Sequence, residues 1–302
     1  MEVKKITHLT GHSSAVYALE NSLEENKFFS GSGDRIVAEW DLTSTENGQM
    51  LAQVPEIIYS LKLIPEKKVL LVGQSAGGIH VIDLLTRKEI RLLKYHAAGV
   101  FDLDYSSAHN LLFSLGGEGT FSISRLDDFT LIKSIKLADE KLRSVAIHPQ
   151  QKDAAVGCGE GSICVFDLPS LELKKRWQAH KEKFSVNAVQ FSRDGDYLLS
   201  GSRDAHLNIF DVKNNYKLMT SIPAHNYAIY SIVFSPGKKY FATASRDKTV
   251  KIWDAENFNV LIRLDKEKYE GHLNSVNKLL WKNDLLISGS DDRSIIVWQV
   301  NS

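Results

Sequence analysis

Serine, histidine and aspartate fall together at several places in this 302-residue chain. Such a trio could assemble a nucleophile, its base and an orienting acid. The sets are His12 with Ser30 and Asp34, His180 with Ser200 and Asp204, His225 with Thr243 and Asp247, and His272 with Ser288 and Asp292. Their recurrence argues against catalysis, because one fold has no use for several identical active sites. Two glycine-rich runs, Gly31 to Gly33 and Gly157 to Gly161, resemble phosphate-cradling loops, but neither opens a helix as those fingerprints require. Ten histidines invite a metal reading. The recurring sets account for four of them, His96 fits as a fifth, and no pair stands at ligand spacing beside cysteine or carboxylate. No catalytic residue, metal or cofactor is therefore expected. Cys158 and Cys164 read as packed, reduced core thiols on neighbouring strands of one sheet.

The elements that must position these sets repeat along the chain. Ser245 to Asp254 reads SRDKTVKIWD, and Ser202 to Asp211 (SRDAHLNIFD), Ser290 to Gln299 (SDDRSIIVWQ) and Gly33 to Asp41 (GDRIVAEWD) share its pattern. Weaker copies run over Ser75 to Asp83, Gly117 to Arg125 and Gly159 to Asp167. The position of Trp253 is held in chain order by Trp40, Ile82, Ser124, Phe166, Phe210, Trp253 and Trp298, at a period of about 43 residues. Seven such units fill the chain, so a length that would suit two domains reads as one domain over 1–302. Within a unit, short β-branched and aromatic runs such as Tyr230 to Phe234, Tyr240 to Ala244 and Thr249 to Trp253 alternate with turn signals such as Asp194-Gly195. A fourth, more polar strand follows each Trp position, as in Leu171 to Trp177. Four strands per unit make a small antiparallel sheet, and radial repetition of such sheets makes an all-β propeller of seven blades. The slightly long insertion at Asp265 to Glu270 is expected to be a mobile loop.

Composition narrows the function. Lys and Arg number 37, as do Asp and Glu, and 43% of residues are hydrophobic. A balanced charge disfavours a general nucleic-acid binder or a membrane-surface protein. Two cysteines cannot make a disulfide framework, which points to a reducing, cytoplasmic compartment. No apolar run approaches a membrane span and no secretory leader is visible at the start. The last unit stops at Ser302 after its third strand, and Val3 to Leu9 (VKKITHL) looks like an outer strand with nothing before it. That segment is expected to pair into the seventh blade and close the circle, removing an open edge.

These residues resemble the WD-repeat propellers over the full chain. Gly11-His12, Asp34 and Trp40-Asp41 follow the family spacing, as do His225, Asp247 and Trp253-Asp254. Gly271-His272, Asp292 and Trp298 form a third set, with Gln299 in place of the final Asp. The resemblance implies a hydrogen-bonded chain of His, strand Ser or Thr, turn Asp and Trp in each well-formed unit. In the fifth unit Phe210 ends that chain early. Val54 and Ala138 replace the His of units two and four, and Ala76, Glu118 and Glu160 replace the turn Asp of units two, three and four. Those blades are expected to rely on apolar packing.

The resemblance also implies a non-catalytic scaffold that binds a peptide or loop of a partner protein on the narrow face. The matching rim positions are Tyr17, Tyr59, Phe101, Arg143, Asn187, Tyr230 and Asn277, with Arg203, Arg246 and Asp291 from the residue before the turn Asp. Tyr17, Tyr59, Phe101 and Tyr230 would form an aromatic arc and Arg143, Arg203 and Arg246 would complete it, a surface for apolar anchors and an acidic or phosphorylated residue. A nucleic-acid-binding or enzymatic propeller using the channel mouth is the alternative. The propeller itself is expected to be monomeric, without membrane or nucleic-acid partners. The Trp-Asp-x-Arg signature of ubiquitin-ligase receptors is missing, since Thr43 and Glu256 stand where Arg would.

Overall fold

A computed structural model describes residues 1–44, 48–237 and 239–301. Strands are short, and each is bounded by turns rich in Asp, Ser, Asn and Gly, so antiparallel hairpins follow directly from the sequence. They assemble into seven four-stranded sheets, the fold of a seven-bladed β-propeller. Blade 1 covers 16–53, blade 2 58–94, blade 3 100–136, blade 4 144–178, blade 5 186–223, blade 6 229–264 and blade 7 276–301. In the first six blades the strands lie in chain order; in blade 7 the fourth place is taken by Glu2–Leu9, paired antiparallel with Ile295–Asn301. Val3 sits opposite Val300 and Leu9 opposite Ile295, with both Val3 and Leu9 buried. The expected closure of the seventh blade by the N-terminal strand is thus present.

By contact density the chain divides into two units, one made of residues 1–75, 79–93 and 233–302, the other of 76–78 and 94–232. Within each, the first strands of successive blades lie side by side: those of blades 7, 1 and 2 in one unit, those of blades 3, 4 and 5 in the other. A blade covered on both faces has no alternation to display, and Asp153–Gly157 of blade 4 is buried at every residue. Fourth strands such as Leu131–Lys136 are largely exposed, which is why they read as polar.

At four junctions the next blade approaches so closely that one position on the second strand admits no side chain. A Cβ on Gly31 would lie 2.5 Å from Ile58, on Gly201 2.5 Å from Ile229, on Gly157 2.9 Å from Val186 and on Gly289 2.7 Å from Val16. In each case the intruder is the leading apolar residue of the next blade's first strand, itself fully buried. The insertion between blades 6 and 7 differs from the expected loop. Lys266–Tyr269 forms one helical turn, capped where the Asp265 carboxylate accepts from the Lys268 N–H at 2.9 Å.

Removing residues 1–9 strips the fourth strand from blade 7 and bares the backbone groups of 295–301. The truncated protein should melt at least about 5 °C lower. A scanning-calorimetry trace that overlays the full-length one would exclude a stabilising role for this strand.

Candidate functional site

The recurring His, Ser, Asp and Trp residues come together within blades. In blade 1, Trp40 Nε1 donates to Ser30 Oγ (2.7 Å), Ser30 Oγ lies 2.7 Å from His12 Nε2, and His12 Nδ1 lies 2.8 Å from Asp34 Oδ2. With the proton on Nδ1, the indole, the hydroxyl and the imidazole each donate once along this line and the carboxylate accepts. His–Asp and His–Ser contacts are connected as in a catalytic triad, yet Ser30 is 0% exposed and its oxygen already accepts from the indole. No reactant can reach it. Blade 7 repeats the arrangement, with Trp298 to Ser288 at 3.0 Å, Ser288 to His272 at 2.9 Å and His272 to Asp292 at 2.9 Å. In blade 6, Trp253 donates to Thr243 at 2.9 Å. In blade 5, His180 contacts Ser200 (2.8 Å) and Asp204 (3.2 Å), and Phe210 ends the line.

Blade 3 corrects an expectation. His96 contacts Ser114 and Glu118, each at 2.7 Å, so a glutamate does the turn aspartate's work where more reliance on apolar packing was expected. Ser124 replaces the Trp, and Phe113 and Phe121 stack at 5.7 Å on the opposite face of the sheet. Burial pushes the His96 pKa down against the opposing pull of Glu118, leaving a neutral imidazole. Blade 2 holds a set that sequence spacing did not reveal: buried His80 lies 3.0 Å from Gln74 Oε1 and 3.0 Å from Glu89. In blade 4, Glu160 accepts from Ser162 (2.5 Å) and Arg176 (2.8 Å). Cys158 and Cys164 are both buried and unbridged. Gly157 to Gly161 runs through a tight turn between two strands, Gly161 at φ +97°, rather than into a helix.

Most of the first-strand positions expected on the rim share a backbone device. In five blades the ladder between the first two strands skips one residue of the first strand, and the residues skipped are Tyr17, Tyr59, Phe101, Asn187 and Asn277. A bulge of this kind re-aims its extra side chain out of the alternation. Arg143 lies just before the first strand of blade 4, and Tyr230 is the second residue of Ile229–Phe234.

In the unit holding blades 7, 1 and 2, Tyr17 and Tyr59 meet edge to face, ring centres 5.7 Å apart at 73°. Asn277 Nδ2 donates to the Val16 carbonyl (3.0 Å) and to Asp291 Oδ1 (2.8 Å). Burial first, then the Asp291 charge and Tyr59, raise the Tyr17 pKa and keep the phenol neutral. Arg246 is exposed beside the turn Asp247.

In the other unit the Arg143 guanidinium lies 4.5 Å from the Phe101 ring centre and the exposed Lys141 ammonium 5.7 Å from it. The Arg143 charge, with burial, lowers the Lys141 pKa. Lys141 lies outside the family positions and went unnoticed in the sequence. Arg203 is exposed 6.0 Å from the Phe184 ring, and Asn187 donates to the Ile229 carbonyl at 3.1 Å. Asn187 and Asn277 therefore spend their amides on the backbone of the next blade. Among the described residues no cluster of His, Cys, Asp and Glu could hold a metal ion, and no helix is long and apolar enough to cross a membrane.

Ser30→Ala leaves both the Trp40 indole and the His12 ring without their partner, and should cost about 2–4 kcal/mol in denaturant unfolding. Acid stability tests the carboxylates. Burial opposes the charge on Asp204, but the His180 bond, the His180 charge and backbone N–H groups outweigh it and hold the carboxyl at about 2. Its unfolded value is about 3.9, so this stabilisation is present above pH ~4 and is lost as the pH falls toward 2. Asp204→Asn should lose about 2 kcal/mol at neutral pH, and the gap to the parent protein should shrink on acidification toward pH 2. An equal gap at pH 7 and pH 2.5 would contradict this linkage.

Comparison with known proteins agrees with this architecture. The family model described as "WD domain, G-beta repeat" matches residues 3–41, 171–211, 216–254 and 265–299, about half of the chain. WD repeat-containing protein 90 of Xenopus tropicalis is 25% identical over 147 residues, which is 46% of this chain and 8% of that protein. Periodic tryptophan protein 2 homolog of Mus musculus is 29% identical over 140 residues, 44% of this chain and 15% of that protein. Pre-mRNA-processing factor 17 of Homo sapiens is 24% identical over 227 residues, 72% of this chain and 38% of that protein. The chain spans well under half the length of each of these relatives. With four matched repeats, seven four-stranded blades and the Trp–Ser–His–Asp lines, the chain belongs to the WD-repeat family of β-propellers.

Proposed function

We propose that this protein is a non-catalytic interaction platform that binds a peptide or loop of a partner protein on the narrow face of the propeller. WD-repeat propellers are generally protein-interaction scaffolds, and the reading here rests on one observation. Five first strands turn the same position out of register, and the residues so turned include three large aromatics, Tyr17, Tyr59 and Phe101. A β-bulge costs a ladder bond, so its repetition at one position selects for where the side chain goes. All three rings are partly exposed, and each is already packed against a neighbouring ring or cation. Rings immobilised in advance lose little entropy on binding, which is why Tyr and Arg dominate interface energetics.

In the unit of blades 3 to 5, Arg143 and Lys141 beside Phe101 suit an acidic or phosphorylated residue flanked by an apolar anchor. Arg203 and Tyr230 extend the set of contact residues in this unit, and Arg246 is a contact residue of the other. Asn187 and Asn277, committed to backbone carbonyls, act as supports for the surface and not as its contacts. Enzymatic chemistry is disfavoured because the Ser and His atoms that could perform it are buried and mutually bonded. Two unbridged thiols fit a reducing, cytoplasmic setting.

A pull-down from native extract with Tyr17→Ala combined with Tyr230→Ala should recover the partner at least about tenfold less well. Both residues are half exposed, so the melting temperature should change little. Unchanged recovery would sink this surface assignment.

A further inference from the structure

In the unit of blades 7, 1 and 2 the bulged Tyr17 lies beside a carboxylate, Asp291, where Phe101 of the other unit lies beside cations. We infer that this part of the surface receives a basic side chain, arginine or lysine, with Asp291 as its counter-ion and Tyr17 and Tyr59 as its aromatic walls. The inference rests on the reading above that the bulged positions face a partner. It goes beyond that reading by assigning a cation where an acidic residue alone was foreseen.

Three observations carry it. First, Asp291 is held in place: Asn277 Nδ2 donates to its carboxylate at 2.8 Å while also donating to the Val16 carbonyl at 3.0 Å. That bridge fixes the carboxylate beside the backbone residue that precedes Tyr17. Second, among the described residues no Lys, Arg or His forms an ion pair with Asp291, although it is only partly exposed. A half-buried carboxylate with one neutral donor is under-compensated, and a cation delivered by a partner would complete it. Third, the Tyr17–Tyr59 pair meets edge to face at 73°, and both rings are partly exposed. The negative face of such a ring attracts an ammonium or guanidinium, and more strongly where water is partly excluded. The Asp291 charge reaches the Tyr17 phenol.

The test uses the full chain and three small probes: N-acetyl-arginine amide, N-acetyl-lysine amide and N-acetyl-glutamate amide. Tyrosine ring signals are followed by NMR in protein labelled at tyrosine. The arginine and lysine probes should shift Tyr17 and Tyr59 saturably, and comparison of the two tells which cation fits better. The glutamate probe should leave both rings unmoved. Asp291→Asn keeps the acceptor for Asn277 and should weaken the cationic probes by about fivefold. Asp291→Lys should abolish their binding, and Tyr59→Leu should weaken it without touching the carboxylate. Failure of both cations to shift either ring, or equal affinity in the parent and in Asp291→Asn, would overturn the inference. The pull-down separates the two readings. Partner loss in the Tyr17/Tyr230 variant with silent cation probes rejects the cation site and keeps the surface. Cation binding with undiminished partner recovery does the reverse.

Discussion

The contact between a glycine on one blade and a branched apolar residue on the next governs the rest of the molecule. At Gly31, Gly157, Gly201 and Gly289 the approach is too close for any Cβ, and Ile58, Val186, Ile229 and Val16 occupy the space that a side chain would need. Each of those four residues opens the first strand of its blade. Close approach lets the sheets bury both faces with short strands, giving a core of Val, Ile, Leu and Phe at every second and third strand. It also fixes where the following residue must go. With the leading residue locked against the neighbour, the next one in three of these strands falls at a bulge, and its side chain is Tyr17, Tyr59 or Asn187. Packing between blades and presentation of the rim are thus two outcomes of one geometric demand.

The hydrogen-bonded lines meet a second demand, that no buried polar group be left alone. Each strand serine deep in a blade needs a donor and an acceptor, and the blades supply them differently. Blades 1 and 7 use indole, hydroxyl, imidazole and carboxylate; blade 3 uses imidazole, hydroxyl and glutamate, without an indole. Blade 4 turns its glutamate toward Arg176. The requirement is satisfaction, and several residue combinations meet it.

Much of this was legible in the sequence because the period is long and repeated. Trp40, Trp253 and Trp298 with their turn aspartates fixed the phase, and once the phase is known the strands, the blade count and the pairing of Val3 to Leu9 follow. Glu118 was overlooked as a partner, although it lies 22 residues after His96 just as Asp34 lies 22 after His12. The spacing carried the signal and the residue type concealed it. His80 and Glu89 could not be foreseen, since their contact runs across two neighbouring strands and lies outside the repeat pattern. The helical turn at 266–269 was read as loop because one capped turn has no periodicity to detect. The repeat position of Asn277 was legible; its tie to Asp291 was not, because the amide bridges that carboxylate and the carbonyl of Val16, a contact between residues far apart in the chain.

The pairing of Glu2–Leu9 with Ile295–Asn301 has a kinetic meaning. Other blades close on partners a few dozen residues away, whereas this one joins positions nearly three hundred apart. The entropy of bringing such distant segments together exceeds that of an ordinary blade by only about 1.7 kcal/mol, since it grows with the logarithm of the loop. Time is the larger difference. During synthesis the first strand emerges long before its partner exists, so blades 1 to 6 can form while it waits unpaired. The fourth edge of blade 7 is then the last seam to be sealed, and until it is, the chain carries a free strand and a matching open edge that a second copy could fill.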